Sequence, residues 1–71
     1  MRRAALIRKI GDRARVARVE WDLVREGRRH ELWRCGSQQV TIPRHAEINE
    51  YTCEGIFKEL QSMLGENWWR R

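Results

Sequence analysis

The stretch REGRRHELW, residues 25–33, sets His30 directly behind Arg28 and Arg29, at the head of a run suited to a β-strand. Imidazole serves as general base and general acid because it titrates near neutral pH. Guanidinium grips phosphate with a planar fork of two parallel hydrogen bonds. RNA carries its own nucleophile, the 2′-hydroxyl. Its cleavage therefore needs only a base for that hydroxyl, an acid for the leaving 5′-oxygen and cations for the charge building on phosphorus. A second group lies in IPRHAEINE, residues 42–50, where Arg44 and His45 precede a predicted helix N-terminus, a place that favours anions. His30 is thus the catalytic candidate, and Arg28, Arg29, Arg34, Arg44 and His45 are the RNA-binding candidates. The plain alternatives are a solvated strand histidine for His30 and a backbone-bonded loop histidine for His45.

Other chemistries fit poorly. His30, Cys35, His45 and Cys53 are separated by four, nine and seven residues, which matches no zinc-finger spacing. Neither a metal nor another cofactor is expected. There is no glycine-rich phosphate loop and no pair of carboxylates at catalytic spacing. Ser37 and Ser62 fall in a predicted turn and helix with no base beside them. Two cysteines are too few for a disulfide scaffold and read as reduced thiols.

The charge points the same way. The chain of 71 residues carries a net charge of +5, and thirteen of its fifteen basic residues are arginine. Residues 1–34 have a net charge of +6 and residues 35–71 a net charge of −1. Such asymmetry is the footprint of a nucleic acid or an acidic protein partner, against the bland reading of a solvated charged surface. No apolar run approaches the roughly 20 residues of a membrane-spanning helix. The opening MRRAALIRKI has no apolar stretch long enough for a signal peptide, so a cytoplasmic location is expected.

The elements that must position these groups are legible from periodicity. Leu6, Ile10, Ala14 and Ala17, thickened by Ile7, predict an amphipathic helix over about 3–17. Three short alternating runs predict strands over about 20–26, 30–35 and 38–43, joined by turns at Gly27 and Gly36. Alternation puts Trp21, Leu23 and Arg25 on one face of the first strand. It puts His30, Leu32 and Arg34 on one face of the second. Cys53, Ile56, Phe57, Leu60, Met63 and Leu64 predict a helix over about 50–64, capped by Asn49 and closed by Gly65. The tail GENWWRR offers either a stacking platform for bases or two tryptophans to complete a small core, and packing is the expected use. The whole reads as one α+β domain spanning residues 1–71.

Three stretches, LVREGRRHELW, VTIPRHAEINE and YTCEGIFKELQSMLG, together resemble the HicA family of bacterial toxins, with IPRHAEINE the most specific part. The similarity runs from the first helix to GENWWRR. Members are small mRNA interferases with a double-stranded-RNA-binding-domain-like α-β-β-β-α fold. The resemblance implies a three-stranded antiparallel sheet with two helices packed on one face. It also implies the toxin of a type II toxin–antitoxin system, a metal-independent endoribonuclease that cleaves mRNA. His30 matches the family's catalytic histidine, and the implied protein partner is a HicB-type antitoxin covering the active site. Where many relatives carry small residues before that histidine, this chain has Arg28 and Arg29, which either strengthen phosphate binding or crowd the substrate. Two alternatives stay open: a non-catalytic RNA-binding module of the same fold, and a protein whose basic face only docks an acidic antitoxin. Neither membrane association nor DNA binding by this chain alone is expected.

Overall fold

The computed structural model describes residues 1–70. Helix α1, Arg3–Ala17, buries Leu6, Ile10 and Ala14, the stripe set by their spacing of four. Arg18 then adopts a left-handed conformation, and the Val19 N–H donates to the Ala14 carbonyl, which turns the chain toward the sheet. Strands β1 (Trp21–Glu26), β2 (His30–Cys35) and β3 (Gln38–Pro43) form an antiparallel meander in that spatial order. Gly36, at φ +61°, takes the first position of the two-residue β2–β3 turn, where a side chain would be strained. Helices α2 (Glu50–Glu59) and α3 (Gln61–Leu64) and a 3₁₀ turn, Trp68–Arg70, complete an α-β-β-β-α order of the α+β class.

One face of the sheet is covered and the other is open. Cys35, Val40 and Ile42 point into a core shared with Leu6 and Ile10 of α1, and with Ile56, Phe57 and Leu60 from the second helical segment. Asp22, Arg34, Gln39 and Thr41 remain exposed on the opposite face. Both cysteines are buried free thiols, and burial pushes both thiol pKa values up. They remain protonated at neutral pH and are poor nucleophiles. Among the described residues no helix is long and apolar enough to cross a membrane.

Two expectations need correction. The predicted helix over 50–64 is interrupted at Leu60. The reason is local: the Phe57 carbonyl accepts the indole N–H of Trp68 at 2.9 Å and the Leu60 N–H at 3.1 Å. A side chain inserted into the hydrogen-bond ladder breaks its regularity. The start and end of this segment follow the sequence: Asn49 accepts from the Thr52 N–H at 2.8 Å, and Gly65 closes the segment at φ +105°. The tail packs. Trp68 is buried edge-on against Phe57, with ring centroids 5.0 Å apart.

The second correction bears on the site. Register along β1 shifts between Leu23 and Arg25, so Leu23 pairs with Trp33 but Arg25 pairs with Leu32. Val24 is the extra residue of a β-bulge, and strict alternation fails there. Arg25 therefore leaves the face of Trp21 and Leu23 and joins the open face with Leu32.

Candidate active site

The β1–β2 turn holds the catalytic candidate by backbone contacts. The Gly27 N–H donates to the His30 carbonyl at 2.9 Å, closing the turn with Arg28 and Arg29 at its tip. A Cβ at position 27 would lie 2.8 Å from that carbonyl oxygen, so only glycine permits this approach. His30 then opens β2, paired with Pro43 at the end of β3, and its side chain is exposed.

Arg44 straps this turn from the neighbouring strand. Its backbone N–H donates to the Arg29 carbonyl at 2.9 Å, and its guanidinium donates to the Gly27 carbonyl at 2.8 Å. The same guanidinium lies 4.0 Å from the carboxylate of Glu31. Glu31 is the one buried charged residue among those described, 7% exposed on the covered face of β2. It pairs with Arg3 of α1 and accepts the Trp33 indole N–H at 3.1 Å. Arg3 also donates to the Pro43 carbonyl at 3.0 Å, which fixes the end of β3 opposite His30. Beneath the exposed histidine lies a charged cluster that ties α1, β2 and the β3 exit together.

The segment carrying His45 is anchored in turn to the start of α1. The Arg3 N–H donates to the Ala46 carbonyl at 2.9 Å, and Arg2 and Glu47 form an isolated antiparallel bridge. These restraints bring five of the six sequence candidates together. Arg28, Arg29, His30, Arg44 and His45 line one open cleft of about 480 Å³. Arg34 shares the strand face of His30 but stands outside the cleft, ion-paired to Asp22 at 3.2 Å.

The cations of the cleft are not equivalent. The Arg44 guanidinium donates to the Gly27 carbonyl and lies near Glu31, so its first role is to hold the turn. Arg28 and Arg29 are exposed and join no ion pair among the described residues. Unpaired guanidiniums flanking an imidazole suit an anionic ligand whose charge grows during reaction. Among the described residues no cluster of three or more His, Cys, Asp or Glu side chains is arranged to hold a metal.

Sequence reasoning misses Gly27 as a steric requirement, and it misses the pairing of Arg3 with Glu31. Glu31 does leave a trace: alternation places it with Trp33 and Cys35 on the face that meets the helices. Two measurements test the geometry. If His30 does chemistry in this cleft, Gly27→Ala should keep the fold but displace His30, and the rate of that reaction should fall by up to about 10²-fold, as small misplacements of reacting groups do. A wild-type rate in a folded Gly27→Ala protein would show that the turn does not set the position of His30. Replacing Arg28 by glycine together with Arg29 by serine should lower the log–log salt slope of RNA affinity by about 0.7 for each phosphate left without its guanidinium. An unchanged slope would make both residues ordinary surface charge.

No family model, curated protein or solved structure compared with this chain matches it.

Proposed function

We propose that the protein is a metal-independent endoribonuclease acting on mRNA, a toxin of the HicA type. The observation that carries this reading is the single cleft formed by His30, His45, Arg28, Arg29 and Arg44. The likeness of REGRRHELW and IPRHAEINE to that family supports it. In the proposed reaction, His30 takes the proton of a ribose 2′-hydroxyl. The oxygen attacks the adjacent phosphorus, the bond to the 5′-oxygen breaks, and that oxygen leaves with a proton supplied from the cleft. The single histidine His30, having taken the 2′-hydroxyl proton, returns it to the leaving oxygen, and His45 lines the same cleft as an RNA contact. Arg28 and Arg29 neutralise the charge of the phosphorane-like transition state. A HicB-type antitoxin covering the cleft belongs to the same proposal.

Incubation of purified protein with ribosome-free mRNA in EDTA tests the reading. Transcript shortening under these conditions is the expected result. Tight RNA binding without cleavage would favour the RNA-binding module of the same fold, whose affinity rests on the arginines.

A further inference from the structure

The bulge at Val24 has a second effect on the open face of the sheet. It sets Arg25 beside Leu32, two residues from His30 along β2. Bulges recur next to active sites because they re-aim a side chain. Here the result is a second concavity, about 280 Å³, lined by Arg25, Arg28, Arg29, His30, Leu32 and Thr41, together with Glu31, whose carboxylate is buried and paired with Arg3. Arg28, Arg29 and His30 are common to this concavity and to the cleft that holds Arg44 and His45. The histidine therefore has a cationic hollow on each side of it.

Arg25 is exposed and joins no ion pair among the described residues, whereas Arg34 on the same face is tied to Asp22. Three unpaired guanidiniums around one hollow repel each other, and an anion relieves that repulsion. Two residues along a strand, one step on the same face, span about 7 Å. This is comparable to the step between neighbouring phosphates of an extended strand. The floor of the hollow is mixed: the apolar Leu32, half-buried, and the hydroxyl of Thr41 across from it on β3. A nucleotide unit needs that combination: cation for phosphate, hydroxyl for ribose, apolar surface for base.

We infer that this second concavity is a subsite for the nucleotide adjoining the one cut, in a single-stranded RNA that crosses the β1–β2 turn. Arg25 binds the neighbouring phosphate, and Thr41 and Leu32 lie under its ribose and base. The inference rests on the RNA-cleaving reading and adds the direction in which the strand leaves the cleft.

The test uses 2′-O-methyl RNA, which lacks the nucleophile and stays intact, as a dinucleotide and as a hexanucleotide. Wild-type protein should bind the hexanucleotide more tightly, because the longer strand reaches the second hollow. Arg25→Ala should lose about tenfold in hexanucleotide affinity, the value of one charge-assisted hydrogen bond, with little change for the dinucleotide. Its log–log salt slope should fall by about 0.7, and Arg25→Lys should retain the slope. Arg25 is exposed, so these variants should melt like the wild type. If wild type gains affinity with length and Arg25→Ala gains it equally, with the same slope, the subsite is wrong and the cleft reading stands. Failure of wild-type protein to bind either oligonucleotide would overturn the RNA reading and the subsite with it.

Discussion

His30→Ala should abolish RNA cleavage and growth arrest while leaving both the fold and RNA affinity close to wild type. Removing a general acid or base typically costs about 10² to 10⁴ in rate. The side chain is exposed, whereas its backbone carbonyl carries the structural duty of holding Gly27 at 2.9 Å. Alanine preserves that carbonyl, so the turn should persist. RNA affinity should persist too, because the proposed reading assigns the phosphate contacts to Arg28 and Arg29 and not to the imidazole. A structural histidine would behave differently, with activity lost only as melting temperature fell. Cleavage rate, melting temperature and RNA affinity measured on one preparation separate these cases. A folded His30→Ala protein with full activity would remove the catalytic reading.

The second large effect should fall on stability. Glu31→Ala removes the carboxylate that pairs with Arg3, accepts from Trp33 at 3.1 Å and faces Arg44 at 4.0 Å. Breaking a buried pair by deleting one partner is costly because the other charge stays desolvated, and a fully buried case loses about 3–5 kcal/mol. Arg3 and Arg44 keep partial access to water here, which places the loss at about 2–3 kcal/mol. For a domain of this size that lowers the melting temperature by roughly 10–20 °C. The double variant with Arg3→Ala should lose less than the two single losses summed, since each single change strands the other's partner. A fall of only a degree or two in Glu31→Ala would show that the cluster does not hold the fold together.

Much of the architecture is legible because it rests on periodicity. The stripe of Leu6, Ile10 and Ala14, and that of Cys53, Ile56, Phe57 and Leu60, are all buried as their spacing requires. The Asn49 cap and the turn at Gly36 are also readable, since each reflects a local backbone need. What escapes is non-local. A bulge adds one residue without any residue-type signature, so simple alternation puts Arg25 on the wrong face of β1. The break at Leu60 depends on an indole eleven residues from the Phe57 carbonyl it occupies. Arg44 reads as a phosphate-binding candidate, but its backbone N–H and guanidinium also hold carbonyls 15 and 17 residues back. No window of sequence contains that strap. The clustering of His30 with Arg28 and Arg29 is visible in one short stretch. Its meeting with Arg44 and His45 requires the β2–β3 register to be known.

The chemistry of the product ends decides whether the RNA supplies its own nucleophile. Wild-type protein acting on a defined mRNA in EDTA should leave 2′,3′-cyclic phosphates on one side of each cut and 5′-hydroxyls on the other. Those ends record attack by the RNA's own 2′-oxygen with proton transfer through the cleft. Products with 3′-hydroxyl and 5′-phosphate ends, or an intact transcript, would contradict the account.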